Sequence, residues 1–235
     1  MCVELLTSRY RHGIEQTLRD ILSCEQCGEA EYLRMISYHM GWEDPDTVTA
    51  GKRTRPLITL LCATSSGGDW KLALPLAAGV ELIHNFSLIH DDIQDNSRLR
   101  RNRPTVWTLW GRNQAINVGD ALFTYAHLAV QQASGLESDT RLVAMRLIDE
   151  ACISLTRGQH LDMAFETQET VGVEEYMTMI GGKTAALIAA AAELGALAAG
   201  APYDVRMHYR AFGHNLGLAF QIRDDVLGIW GEDAM

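Results

Sequence analysis

Along this 235-residue chain apolar side chains recur at the three- and four-residue intervals of a helix, and almost nowhere at the alternate spacing of a strand. The stretches LPLAAGVELIHNFSLIH and TAALIAAAAELGALAAGAP are long, rich in alanine and leucine, and interrupted by few glycines, as in helices packed inside a bundle. Turn residues combined with helix-cap chemistry predict breaks at GWEDPDTVTAGKRTRP, RRNRPTVW, ASGLESDT, ETQETVG and AGAPYD. None of these is long enough to be a domain linker, and the chain carries no repeat or low-complexity tract. The pattern therefore predicts an all-α fold, a single domain over 1–235 built as a bundle of about eight or more helices.

Composition narrows the function classes. With 47% apolar residues the chain can bury one sizeable core. Thirty acidic against twenty basic side chains give a net charge of −10, which repels a phosphate backbone and argues against a nucleic-acid partner. No apolar run is read as approaching the roughly 18 residues that span a bilayer, and MCVELLTSRYRHG lacks the apolar core of a signal peptide. The expectation is a soluble, cytoplasmic protein with no membrane span. Five cysteines, an odd number without a disulfide rhythm, fit a reducing compartment. The CxxC pair in SCEQCG lacks the second pair that a zinc site needs, so Cys24 and Cys27 read as incidental thiols.

One stretch departs from the core pattern. In HNFSLIHDDIQDNSRLRRNRP, His84, Ser87, Asp91 and Asp95 fall on one helical stripe, and arginines follow within a turn or two. Two carboxylates one turn apart repel each other unless a cation joins them. Magnesium suits the pattern, since it takes oxygen ligands, uses one or two carboxylates and fills its shell with water and substrate phosphate. Guanidinium forks then match the phosphate oxygens left over. A second stripe lies in AFGHNLGLAFQIRDDVLGIWG, where Gln221, Asp224, Asp225 and Gly228 share a face and Phe212, Leu216, Leu218 and Val226 supply apolar flanks. On an otherwise buried helix, unpaired carboxylates would cost several kcal/mol. The two acidic faces are therefore expected to meet across a cavity containing cations.

These segments together resemble the trans-isoprenyl diphosphate synthase, or polyprenyl synthetase, family, and the resemblance runs through most of the chain. DDIQD resembles the family's first aspartate-rich motif, RLRRNRP the paired arginines after it and GKRTRP the isopentenyl diphosphate loop. GDAL and GQHLD recur at the family's spacing; GGKTAAL resembles its lysine-threonine element and FQIRDDVLG its second aspartate motif. A lone DDxxD is a weak signal, whereas these motifs in family order are a specific one.

The resemblance implies a helical bundle around a central apolar cavity, acting as a short-chain prenyltransferase and assembling as a homodimer. Asp91 and Asp95 would bind magnesium bridging the allylic diphosphate, with Asp92 assisting, and Asp224 would hold a further ion, about three per site. Lys52, Arg55, His84 and Arg101 match positions that hold isopentenyl diphosphate; Arg100, Lys183, Thr184 and Gln221 match contacts to the allylic substrate. The implied chemistry is ionisation of the allylic diphosphate, attack by the double bond of isopentenyl diphosphate, and loss of a proton to the released diphosphate. Phe86 and Ser87 occupy the positions that limit product length, favouring geranylgeranyl diphosphate over farnesyl diphosphate.

Three features depart from the family pattern. Gly228 stands where many members have an aspartate, Asn102 replaces a glycine, and the sequence stops at WGEDAM, where the family continues with a lysine-bearing loop and further helices. The reading accordingly expects the family's C-terminal helices to be missing. Competing readings are a class I terpene cyclase, which would not need GKRTRP, and a weakly active subunit modulating a larger synthase. The dipeptide His90-Asp91 also suggests a metal phosphohydrolase, whose other histidine ligands are not evident.

Overall fold

The computed structural model describes residues 3–23, 30–43 and 51–231. Cys2, Cys24 and Cys27 lie outside the described residues. Apart from one two-stranded hairpin, the described elements are helices, in agreement with the all-α expectation. Contacts divide the chain into two compact units, Met1–Leu57 with Leu74–Gly135, and Ile58–Ala73 with Leu136–Met235.

The first unit holds α1 (Val3–Leu22), α2 (Ala30–Met40), the start of α3 (Thr54–Ser65), α4 (Leu74–Gln94) and α6 (Arg112–Gln131), with the short α5 (Val106–Trp110) between hairpin and α6. Its axis is α4, which packs along α6 and against α1. Tyr10, Ile14 and Leu18 of α1, one turn apart, are fully buried. Each such side chain stabilises the unit by roughly 1.5–3 kcal/mol. Between α4 and α5 the chain forms β1 (Leu99–Arg100) and β2 (Arg103–Pro104), paired antiparallel.

The second unit holds the rest of α3, α7 (Ser138–Phe165), α8 (Val173–Ile180), a π-helical turn (Gly181–Ala185), α9 (Ala186–Ala198) and α10 (Tyr203–Trp230). The predicted breaks at ASGLESDT, ETQETVG and AGAPYD fall between α6 and α7, α7 and α8, and α9 and α10. Every residue of α9 from Leu187 to Ala198 is buried, as an all-round apolar helix requires. Its one carboxylate, Glu193, accepts a hydrogen bond from Arg210 at 3.0 Å. Burial pushes the thiols of Cys62 and Cys152 up to about 11, which leaves them unreactive.

Two expectations need correction. The helical stretch Val173–Ala198, 26 residues, is long and apolar enough to cross a membrane by length and composition. Its charged residues, Glu174, Glu175, Lys183 and Glu193, leave a long enough apolar window between and around them, and 78% of that window is buried inside the protein, as in a core helix. Conversely, α10 is not the buried helix its apolar flanks suggested. Only Gly213 and Gly217 are buried, because α10 meets α9 and the π-turn through these glycines. Phe212 (53% exposed), Leu216 (39%) and Val226 (44%) face outward among the described residues.

Candidate active site

The first acidic stripe is built on α4. Asp91 is half-buried and Asp95 exposed. The Asp95 N–H donates to the Asp91 carbonyl at 2.8 Å, which holds the two carboxylates one turn apart at the helix end. Asp92 points elsewhere: it is buried, and Arg100 Nε donates to both its oxygens at 3.0 Å while Nη2 reaches Oδ1 at 2.8 Å. Burial raises the Asp92 pKa, and Arg100 opposes the rise. Two residues thought to serve different ligands thus form one ion pair. Upstream, Ser87 Oγ donates to the His84 carbonyl at 2.8 Å, so its hydroxyl is satisfied within the helix. Phe86 is buried edge-on against Phe123 of α6 at 5.3 Å and His90 at 5.5 Å. His90 itself packs against α6, with Nε2 3.4 Å from the Ile116 carbonyl.

Two basic segments converge beside this helix. Arg55 donates from Nη1 to His84 Nε2 at 3.0 Å. Burial first, then Arg55, Arg101, Arg100 and His39, lower the His84 pKa well below its ordinary value. The ring is therefore neutral, and with Nε2 accepting, its proton sits on Nδ1. Gly51 has φ +75°, and a Cβ there would lie 2.7 Å from the Arg101 guanidinium. The positive φ favours glycine here, and without a Cβ the Arg101 guanidinium lies directly against GKRTRP. Lys52 next to it is exposed.

Arg53 anchors the loop. Although its φ is +49°, it is buried and pairs with Glu15 at 2.6 Å and Glu81 at 2.8 Å, and donates to the Met40 carbonyl at 3.1 Å. Between β1 and β2, Arg101 and Asn102 have φ of +51° and +61°, the left-handed pair that a two-residue hairpin turn demands. Asparagine adopts that conformation readily, so its replacement of glycine at 102 leaves the turn intact.

The second stripe lies in the other unit and stands on its own network. The π-turn carries Lys183 and Thr184, a distortion often found at functional sites. A Cβ on Gly158 would fall 2.0 Å from the Lys183 nitrogen, so α7 passes directly against the turn. One turn further along α7, Asp162 accepts a hydrogen bond from Lys183 Nζ. Thr184 Oγ1 donates to Gln221 Oε1 at 2.6 Å, and Gln221 Nε2 donates to Asp225 Oδ1 at 2.8 Å. The other Asp225 oxygen accepts from the Tyr176 hydroxyl at 2.6 Å. Desolvation and the Asp225 carboxylate push the Tyr176 pKa up to about 12, so it remains a donor throughout the neutral range. Asp224 is exposed beside this chain of bonds.

The structure adds Arg53, Asp162 and Tyr176 to the residues expected from the sequence, and gives Asp225 of the second stripe its partners. Asp162 closes GQHLD, so it was visible without a role. Glu81 in an apolar helix was the signal for Arg53, since a buried carboxylate implies a buried partner. Among the described residues no group of three or more histidine, cysteine or acidic side chains is placed to hold a metal. A magnesium ion on Asp91 and Asp95 would complete its shell with water and diphosphate oxygens, as that ion commonly does.

The described residues thus place paired carboxylates at the end of one helix, with cationic turns beside that helix, in a fold that is helical apart from one hairpin. The chain belongs to the polyprenyl synthetase family, the trans-isoprenyl diphosphate synthases, whose model matches residues 45–235. It is 48% identical over 203 residues to a (2E,6E)-farnesyl diphosphate synthase of Mycobacterium tuberculosis, covering 84% of this chain and 55% of that one. A geranylgeranyl diphosphate synthase of the same organism is 44% identical over 203 residues, covering 84% and 57%. The chain thus spans about half the length of these relatives. The crystal structure of a polyprenyl synthetase from Streptomyces coelicolor superposes with a TM-score of 0.90 at 38% identity, covering 100% of this chain and 69% of that one. Among synthases, the chain resembles the short-chain type.

Proposed function

We propose that this chain is a single isoprenyl diphosphate synthase domain of a magnesium-dependent prenyltransferase, condensing isopentenyl diphosphate head-to-tail with an allylic diphosphate. The observation that carries the reading is the approach of Gly51 to Arg101 and of Arg55 to His84, cationic groups gathered beside α4, the helix whose end carries Asp91 and Asp95. Arg55, Arg101 and Lys52 bind the isopentenyl diphosphate, and neutral His84 donates its Nδ1 proton or relays the Arg55 charge without adding a titrating group. In the first unit, Asp92 orients Arg100, a residue the family resemblance gives to the allylic substrate. In the second unit, Asp162 orients Lys183, and Thr184 and Gln221 form a bonded pair; the resemblance gives these three residues contacts to an allylic diphosphate.

Asp91 and Asp95 would hold magnesium on α4, and Asp224 would hold a further ion on α10. Bound magnesium supplies charge neutralisation of the departing diphosphate. Asp92, engaged by Arg100, orients that arginine and would assist beside Asp91 and Asp95. The apolar wall contributed by Phe86 and Phe123 excludes water from the growing tail and limits its length. Bulky Phe86 beside small Ser87 favours geranylgeranyl diphosphate, with farnesyl diphosphate the competing product, and relatives carry both names. Assembly as a homodimer in the cytoplasm completes the reading.

The test incubates labelled isopentenyl diphosphate with dimethylallyl, geranyl or farnesyl diphosphate and magnesium, then resolves the products by chromatography. Labelled geranylgeranyl product is the expected result. Diphosphate release from the allylic substrate without incorporation of label would favour a cyclase, and no turnover with any primer would overturn the reading.

A further inference from the structure

Thr17, Thr124 and Thr178 donate their hydroxyls back along their own helices, each to the carbonyl four residues earlier, at 2.9, 2.9 and 2.8 Å, a bond open to any helical threonine. Thr184 of the π-turn differs: it is buried, and its hydroxyl crosses to α10 and donates to Gln221 Oε1 at 2.6 Å. What sets the direction of that bond lies one turn further along α10. The Asp225 carboxylate only accepts, so the Gln221 amide turns its NH2 to Asp225 Oδ1 at 2.8 Å and its carbonyl to Thr184. Asp225 in turn is held by the half-buried Tyr176 of α8, whose hydroxyl donates to Oδ2 at 2.6 Å. Four side chains of the second unit thus form one chain of bonds, which runs from Thr184 to Asp225 and is closed by Tyr176.

We infer that Tyr176 is a positioning residue: through Asp225 and Gln221 it fixes the direction of the Thr184 hydroxyl. The inference rests on the prenyltransferase reading, since the family resemblance gives Thr184 and Gln221 contacts to the allylic diphosphate rather than to isopentenyl diphosphate. Thr184 has one proton and commits it to Gln221, so a ligand at this hydroxyl meets its lone pairs or draws the proton away from the amide. Either way, affinity for that ligand follows the state of Gln221. Tyr176 joins the chain at Asp225, and its influence on Thr184 passes through two intervening side chains. Such a route couples positions 176 and 184 energetically, which a tyrosine that merely supports the fold would not do. Tyr176→Phe removes the hydroxyl and keeps the ring; Thr184→Val removes the other end of the chain in a side chain of the same shape.

The test, on the full chain, combines NMR of the Gln221 side-chain amide, identified by its absence in Gln221→Met, with calorimetric binding of geranyl diphosphate and of isopentenyl diphosphate in magnesium. In Tyr176→Phe the Gln221 amide protons should exchange with water about fivefold faster, as expected when one hydrogen bond is lost from the chain. Geranyl diphosphate affinity should fall about fivefold in Tyr176→Phe, about tenfold in Thr184→Val and no further in the double variant. Isopentenyl diphosphate affinity should change less than about twofold throughout. Asp225→Asn, whose amide lets Gln221 face either way, should lose at least as much geranyl diphosphate affinity as Tyr176→Phe. An unaltered Gln221 amide in both Tyr176→Phe and Asp225→Asn overturns the positioning role. Losses that multiply in the double variant would mean that Tyr176 acts apart from Thr184, and equal losses for both diphosphates that it only supports the fold; either result overturns the inference. A wild-type chain that binds no geranyl diphosphate, while its Gln221 amide responds to Tyr176→Phe, supports the positioning role and refutes the allylic reading.

Discussion

The helices α4 and α10 carry similar acidic stripes and sit in opposite surroundings. On α4 the acids lie at the end of a buried helix, with Asp92 paired to Arg100 and cationic turns folded beside it. On α10 the acids lie on a largely exposed helix, and the one that is fixed, Asp225, is fixed by neutral donors, Tyr176 and Gln221. The same sequence motif is thus held in place by charge in one unit and by neutral hydrogen bonds in the other. A charge-held site resists repositioning but depends on protonation and salt; a site held by neutral donors keeps its geometry across pH.

The largest expected effect separates the two stripes by chemistry. Asp91→Ala or Asp95→Ala should lower turnover by about three orders of magnitude or more, while circular dichroism shows the helices intact, if these carboxylates serve the proposed metal rather than the core. Near-normal turnover in either variant, or in excess chelator, would sink the metal reading of α4.

Asp162→Asn probes the second unit. The Lys183–Asp162 pair is partly exposed, so its loss should change stability by less than about 1 kcal/mol. Misdirection of Lys183 should nevertheless lower kcat/KM for the allylic substrate roughly tenfold. A variant with full activity would show that Lys183 needs no orienter.

Which features could be read from the sequence follows from how local their causes are. Helix ends at 133–140, 166–172 and 199–204 were readable because turn and cap residues act on their own neighbours. Asp91 and Asp95 were readable because one helical turn sets their spacing. The orienting residues were not. Tyr176 reaches a partner 49 positions away, Arg53 one 28 away and Lys183 one 21 away. No local pattern encodes such pairs. The misreading of α10 has a different origin: its apolar residues spread over much of its circumference, while the close contact is made by two glycines that pattern reading scores as neutral.

Acid should weaken the first unit through its histidines. His84 is held well below its ordinary pKa by desolvation and arginines, and His39, half-buried near Arg100, Arg101 and Arg53, is lowered to about 3, first by desolvation and then by those arginines. Both are neutral in the folded protein, so the unfolded chain binds more protons below about pH 6.5. Their contribution to stability is whole above that pH and is lost as pH falls toward the folded values, by up to roughly 1.4 kcal/mol per unit for each ring. Denaturant titrations at pH 7 and pH 5 should show this slope, and His39→Gln should flatten it. Equal stability at the two pH values would mean that the rings are charged in the fold.

The smallest effect is expected at Gly228, and its sign depends on magnesium. A Cβ at this position meets nothing within 4 Å, so Gly228→Asp introduces no clash. Replacing a helical glycine favours the helix by a few tenths of a kcal/mol. Placing a carboxylate one turn after Asp224 opposes this by a comparable repulsion of about 0.2–0.5 kcal/mol. Without metal the two cancel and the melting temperature stays nearly constant. With magnesium, a stripe that holds the ion gains a ligand: the repulsion becomes attraction, the protein melts a degree or two higher, and half-saturation moves to about twofold lower magnesium. If the variant behaves identically with and without magnesium, α10 does not hold the ion, and the metal chemistry belongs to α4 alone.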